Sequence, residues 1–154
     1  MNHPAIPQGT VSDEELRRGY AAIYFEEVAR RTRIGMAERA EAGLPNYRPP
    51  LGYRLAWEGG EPRVEVVEEA AAWVREAFRL AARGMTIRAI LKELTTRGMR
   101  SARGKEMSPT ALWKILRNPF YVGTIQHQGK LLPGGHEAIV GRELFDLVRR
   151  RSAR

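Results

Sequence analysis

The sequence predicts a mainly α fold with small β-hairpins, in which a long N-terminal linker helix is followed by a helix-turn-helix-like domain. Three observations predict it. A capping signature, Ser12-x-x-Glu15, opens about 30 residues of helical character. Apolar residues then recur at spacings of three and four in three further blocks between Val66 and Leu116. Finally, two short β-type stretches on either side of Gly59-Gly60, and two more around Gln128-Gly129, read as hairpins.

Residues 1 to 11, with two prolines and a glycine, read as a disordered lead-in. The long helix is expected over 12 to 43, with Leu16, Tyr20, Ile23, Tyr24 and Val28 as an apolar stripe, Gly19 and Gly35 as weak points, and Gly43 as the residue that ends it. Leu44 to Gly52, which contains Pro49-Pro50, reads as a stiff extended linker because proline fixes φ and has no amide to donate. Tyr53 to Trp57 and Pro62 to Val66 form the first expected hairpin. Val66, Ala70, Trp73, Val74, Ala77, Phe78 and Ala81 mark a core helix up to Gly84. Thr86 caps a third helix that buries Ile87, Ile90, Leu91 and Leu94 and stops at Gly98. Ser108-Pro109 starts a short fourth helix that buries Leu112, Ile115 and Leu116 and ends before Asn118-Pro119. The second hairpin is expected at Tyr121 to His127 and Lys130 to Leu132, the last helix from about Arg142 to Arg151, and a tail at 152 to 154.

Composition excludes several chemistries. The 154 residues contain no cysteine, so disulfides, thiolate metal sites and cysteine nucleophiles are impossible, and three scattered histidines (His3, His127, His136) do not suggest a metal site. No metal and no cofactor is expected. There is no secretory signal pattern and no run of about 20 apolar residues, so a soluble, intracellular chain without a membrane partner is expected.

The net charge is +8, and its distribution is uneven. Residues 12–42 carry six basic and seven acidic groups, and residues 58–83 carry four and six. Residues 84–135 carry nine basic groups against two acidic ones, a net +7. Charge that served only solubility would be spread along the chain, so this concentration points to a polyanionic partner.

Two short helices in series have the dimensions of a helix-turn-helix unit. The second would display Thr110, Ala111, Trp113, Lys114 and Arg117 on its unburied face, where they could reach base edges in a major groove. The connection from Gly98 to Ser108 is longer than the usual turn. With Arg97, Arg100, Arg103 and Lys105 in or beside it, and Ser101 as a hydroxyl contact, it suits a phosphate backbone. Arg88 lies in the same basic stretch. Trp57 and Trp73 are expected in the core, whereas Trp113 either packs inward or stacks on sugar and base. His136-Glu137 reads as a turn histidine bonded locally, and Arg149-Arg150-Arg151 as a frayed basic end that could touch phosphate.

Seven motifs in order resemble one family. Arg33-x-Gly35-Met36 leads to Ala42-Gly43, then come Arg48-Pro49-Pro50-x-Gly52-Tyr53-Arg54 and the stretch Val64 to Phe78. Gly84-Met85-Thr86 through Leu94, Gly98-Met99-Arg100-Ser101-x-x-Gly104, Ile115-Leu116-x-Asn118-Pro119-x-Tyr121-x-Gly123 and His136-Glu137-Ala138-Ile139-Val140 follow. Together they resemble the recombinase domain of large serine recombinases, over residues 30 to 149, with the recombinase-type domain itself at 44 to 151. Leu51 stands where an aromatic is common in that family, and Met107 near an expected tryptophan.

The resemblance implies binding of double-stranded DNA at a recombination attachment site, in DNA integration or excision. It implies a domain that lies between a catalytic domain and a zinc ribbon, in a cytoplasmic, nucleoid-associated protein of bacterial or phage type. It also implies that the linker crosses from one DNA region to the next, with Arg48 and Arg54 available to a groove or its phosphates. A rigid spacer with solvated arginines is the alternative. The long helix would pack on a partner subunit or catalytic domain, or else fold back on its own domain. Of the four serines, Ser12 precedes an acidic run, Ser101 lies in the basic loop, Ser108 is a cap and Ser152 is terminal. None sits in an arginine clamp, so no catalytic residue is expected in this chain. A free-standing DNA-binding regulator or accessory factor, or a structural assembly protein acting through the long helix, are the other functions the sequence admits. RNA binding finds no single-strand platform of interleaved aromatics.

Overall fold

The computed structural model describes residues 11–152, so the expected lead-in falls almost wholly outside the described residues, as does most of the tail. The chain divides into two units, one up to Met36 and one from Ala37 onward. Its elements are α1 (Asp13–Glu41), β1 (Tyr53–Glu58), β2 (Glu61–Val66), α2 (Glu68–Ala82), α3 (Ile87–Thr96), α4 (Pro109–Arg117), a 3-10 turn (Pro119–Val122), β3 (Thr124–His127), β4 (Lys130–Pro133) and α5 (Arg142–Ser152).

The capping box forms as its residues dictate. Ser12 Oγ accepts from the Glu15 amide at 3.2 Å, and the Glu15 carboxylate accepts from the Ser12 amide at 2.9 Å. The Ser12 amide and then the Ser12 hydroxyl, both donating to the Glu15 carboxylate, hold that carboxyl below its ordinary pKa. Within the first unit α1 is supported by Glu14–Arg18, Glu27–Arg30 and Glu27–Arg31 pairs one turn apart. The expected stripe of Leu16, Tyr20, Ile23, Tyr24 and Val28 is exposed, as are Phe25 and Ile34. The C-terminus of α1 closes in a Schellman pair, with Gly43 N–H donating to Ala40 C=O and Leu44 N–H to Arg39 C=O. Gly43 has φ +76, and a Cβ there would lie 2.6 Å from the Gly135 nitrogen, whose N–H donates to Gly43 C=O. Only glycine satisfies both conditions.

In the second unit β1 and β2 pair antiparallel, with Tyr53 opposite Val66 and Glu58 opposite Glu61 across the Gly59-Gly60 turn. Leu55 and Trp57 share the face of Tyr53, but burial fades toward the turn, and Trp57 is 67% exposed. Trp57 is therefore not the core residue expected, because the hairpin tip extends past the helices that bury its base. Trp73 is half-buried against the core. Ala71, Val74, Ala77, Phe78 and Ala81 of α2 pack with Ile90 and Leu94 of α3, Leu112 and Leu116 of α4, and Phe145 and Val148 of α5.

The second hairpin starts later than expected. Asn118 Oδ1 accepts from the Phe120 amide and caps a 3-10 turn over Pro119–Val122, so Tyr121 and Val122 leave the strand and Tyr121 becomes fully buried. The linker is also not a free spacer. Pro45 is buried, Asn46 lies against His127, Tyr47 packs edge-on to Phe120, and the Leu51 carbonyl accepts from Tyr121 Oη at 2.8 Å.

His136 is buried and bonded far from its own turn, which corrects the local reading. Its ring stacks on Phe120 with centroids 3.8 Å apart, and Nε2 lies 2.6 Å from the Phe120 carbonyl. Nε2 must carry the proton to make that bond, and Nδ1 is then a buried acceptor without a partner. Burial lowers the His136 pKa below its ordinary 6.5, opposed by the bond to Phe120. The folded state prefers the neutral ring, so the unfolded chain binds more protons below 6.5 and stability falls with pH there. The contribution of His136 is complete above 6.5 and is lost as pH falls through its lowered folded pKa. Thermal unfolding between pH 7.5 and 5 is expected to show this loss in the wild type. In His136→Gln, of lower overall stability, the loss in that window should vanish.

Candidate nucleic-acid interface

α3 and α4 are both capped by hydroxyls. Thr86 accepts from the Ala89 amide and Ser108 from the Ala111 amide, with Pro109 in the first turn, where its missing N–H costs nothing. Burial of Leu112 and Leu116 against α3 sets the rotation of α4, which leaves Thr110, Trp113 and Lys114 exposed and Arg117 half-exposed. Ala111 is half-buried against the core, contrary to its expected outward position. It sits one turn before Ile115 on the edge of the buried stripe. Trp113 is 44% exposed and carries the Arg117 guanidinium 4.9 Å from its ring centroid.

The connection from Gly98 to Ser108 is an ordered loop anchored by buried Met99 and Met107. Ser101 N–H donates to Lys105 C=O at 2.8 Å, Gly104 N–H to Ser101 C=O at 2.8 Å, and Ser101 Oγ accepts from the Lys105 amide at 3.2 Å. The Ser101 hydroxyl thus clasps the loop. Arg100 donates to the Thr95 and Met99 carbonyls and so satisfies the end of α3. Arg97 lies between Glu76 and Glu93, over the Trp73 ring. Arg103 and Lys105 are exposed and make no ion pair among the described residues.

Of the other expected contacts, Arg88 is exposed in the first turn of α3 and Arg48 is exposed in the linker. Arg54 lies on the outer face of the first hairpin, 3.0 Å from Glu65, with part of its charge neutralised inside the chain.

The structure brings Trp113, Lys114 and Arg117 together with residues that sequence reasoning did not select. They form one wall of an open groove whose other side is Tyr47 of the linker and Gln126, Gln128 and Gly129 of the second hairpin. The Tyr47 hydroxyl bonds the Gln126 backbone, a contact that opposes the upward pKa shift from its burial. Arg117 also borders Arg149, Arg150 and Asp146 of α5. α5 is helical to Ser152, so these arginines are held on a helix rather than on a frayed end. The turn signal Gln128-Gly129 was visible in the sequence, but which side chains would face α4 was not.

The site is thus part of a small mainly helical domain in which two capped helices in series are flanked by a hairpin and by cations that make no ion pair among the described residues. Residues 68–154 match the family model described as Recombinase, which is more than half of the chain, and the chain belongs to that family. Among solved structures, it is similar to a chain described as "Sequence Requirements of the Listeria innocua prophage attP site". The TM-score is 0.68 at 24% identity, covering 80% of this chain and 51% of that one. It is also similar to a chain of a "Crystal Structure of a LSR-DNA Complex", with a TM-score of 0.67 at 24% identity over 80% of this chain and 39% of that one. These likenesses establish a shared fold, and this chain spans about half or less of those chains. A search of curated proteins finds no match.

Ser101→Ala removes the acceptor for the Lys105 amide but leaves the backbone bonds of the loop. Faster amide hydrogen exchange at Lys105 is expected, with the melting temperature changed only slightly. Unchanged exchange at Lys105 would show that the hydroxyl does not hold the loop.

Proposed function

We propose that this chain binds double-stranded DNA, as the DNA-binding part of a serine site-specific recombinase acting at an attachment site in DNA integration or excision. The observation that carries the proposal is a set of cations, without ion pairs among the described residues, on α4, on the loop that leads into it and on the part of α5 beside it. Lys114 and Arg117 stand on α4, Arg149 and Arg150 lie beside Arg117, and Arg103 and Lys105 sit on the clasped loop that precedes α4. Membership of the Recombinase family supports the same reading. α4 would enter the major groove with Thr110, Trp113 and Lys114 leading, while the loop before it and the end of α5 lie along phosphates.

Strand cleavage is assigned to another part of such a recombinase. Ser101 and Ser108, the serines nearest the cations, are already committed as hydrogen-bond acceptors from backbone amides. No helix among the described residues is long and apolar enough to cross a membrane, and we place the protein with DNA in the cytoplasm. The exposed aromatic stripe of α1 favours a second, compatible role for that helix in contact with another protein, a partner subunit or a catalytic domain.

Binding to duplex DNA is expected to weaken steeply with salt. If about five phosphates are contacted, the log–log slope is near −4 to −5, and Arg103→Ala or Lys105→Ala each reduces it by about one. An affinity that stays flat in a titration from low to moderate salt would overturn the electrostatic basis of the proposal. Lys114→Ala is expected to cost about 1–3 kcal/mol of discrimination between a cognate and a scrambled duplex. Equal losses on both duplexes would reassign Lys114 to phosphate.

A further inference from the structure

We propose that Gln128, at the tip of the β3–β4 hairpin, is a specificity-determining residue that reads an adenine edge across the groove from Lys114. This rests on the proposed DNA-binding role of that groove.

The first support is conformational. Gln128 has φ +48 and is the sole non-glycine residue with positive φ among the described residues. With Gly129 at φ +77 it forms the left-handed pair that a two-residue I′ hairpin turn requires. Glycine or asparagine fills the first of these positions comfortably, glycine because it lacks a Cβ and asparagine because its short side chain bonds locally. Glutamine has neither advantage. Nothing inside the chain compensates for it, since Gln128 is exposed and its carboxamide makes no hydrogen bond among the described residues. An uncommon backbone state held without an internal reward points to an external use of the side chain.

The second support is placement and chemistry. Gln128 lines the same groove as Lys114 and Arg117. A carboxamide cannot neutralise phosphate, so it adds nothing to the electrostatic grip. It does present one donor and one acceptor side by side, the pair that matches adenine N7 and N6 in the major groove. Its neighbour Lys130 begins β4 opposite His127 and is the cation of this hairpin, which leaves Gln128 as the uncharged group at the tip.

The third support is rigidity. A base reader must be presented from a fixed frame. Ile125 is buried, Tyr47 bonds the Gln126 backbone, and Asn46 Nδ2 lies 3.4 Å from His127 Nδ1, so the hairpin is tied down just below its tip.

The test is a selection from a random-sequence duplex library with the full chain, comparing wild type with Gln128→Gly. Glycine keeps positive φ without strain, so the variant should melt at or above the wild-type temperature. The wild type is expected to enrich a motif containing an A·T pair whose preference falls by roughly 5- to 150-fold in Gln128→Gly. The other positions of the motif, and the salt slope, should stay as they are. A motif unchanged by the substitution would overturn this role for Gln128 and leave DNA binding intact, as would an equal loss of affinity for every sequence. A wild-type chain that enriches no motif, with an affinity that does not respond to salt, would overturn DNA binding and the role of Gln128 together.

Discussion

The hydroxyl of Tyr53 joins segments more than 80 residues apart. It donates to the Glu137 carbonyl at 2.7 Å and accepts from the Ile139 amide at 3.1 Å. Its ring meets Phe120 at 5.0 Å, His136 at 5.2 Å and Tyr121 at 5.9 Å. Burial pushes the Tyr53 pKa up to about 12, so the phenol stays protonated and keeps both functions, donor and acceptor. The rest of the second unit hangs on this cluster. The 3-10 turn that carries Phe120 and Tyr121 follows α4 directly and leads into β3, so fixing that turn fixes both walls of the groove relative to the first hairpin. The linker is drawn in by the same cluster, through Tyr47 on Phe120 and Leu51 on Tyr121. An edge of polar atoms buried in an aromatic cluster is costly unless each is bonded. Here the backbone of residues 137–139 supplies the partners, which also holds the loop that touches Gly43 at the end of α1.

Charge is divided between two uses. Arginines of the first hairpin and α2 have carboxylates beside them: Arg54 with Glu65, Arg63 with Glu58, and Arg75 with Glu68. Arg97, at the border of the basic stretch, is also paired, and Arg100 is used to close α3. Among the described residues of the second unit, the cations without an ion pair include those of the Gly98–Ser108 loop, of α4 and of the end of α5, together with Arg48, Arg83, Arg88, Lys92, Lys130 and Arg142. Exposed ion pairs contribute little to stability, so the pairing matters more for where the field points. Pairing on the first hairpin and α2 leaves the excess positive charge on the chain that follows them, where residues 84–135 carry a net +7.

Sequence reasoning reached most elements because their signals are local. Ser12 with Glu15, Thr86, and Ser108 with Pro109 are start signals whose chemistry acts within four residues, and all three form as read. It failed where the deciding partner is distant. Trp57 carries the apolar character of a core residue, but its burial depends on how far the hairpin reaches beyond the helices. The sequence around His136 reads as a locally bonded turn, whereas its partner is the carbonyl of Phe120, sixteen residues earlier. Ala111 shows a similar limit on a smaller scale, since a helical wheel places it at the boundary of the buried stripe and only the packing of α3 decides the side. At the site, charge and helix spacing pointed to Lys114 and Arg117. Tyr47, Gln126 and Gln128 carry no charge, the turn signal at Gln128-Gly129 does not say what the turn faces, and all three join the groove only through the docking of linker and hairpin.

These opposite kinds of residue belong to one design constraint. A groove that distinguishes sequences needs polar groups that are unsatisfied in the free protein, because a group already bonded internally has nothing to offer a base. Such groups are tolerable only at an exposed surface, and they are useful only if the backbone beneath them does not move. Unpartnered polarity at the rim therefore requires complete satisfaction behind it. The two features are joined here by one short stretch of chain: Phe120 and Tyr121 of the aromatic cluster lead through buried Ile125 into the hairpin whose tip is Gln128, where the side chain makes no hydrogen bond among the described residues. The one unsatisfied atom inside that cluster is Nδ1 of His136. Protonation would turn that acceptor into a buried charged N–H donor with no partner, so the packing of the cluster favours the neutral ring.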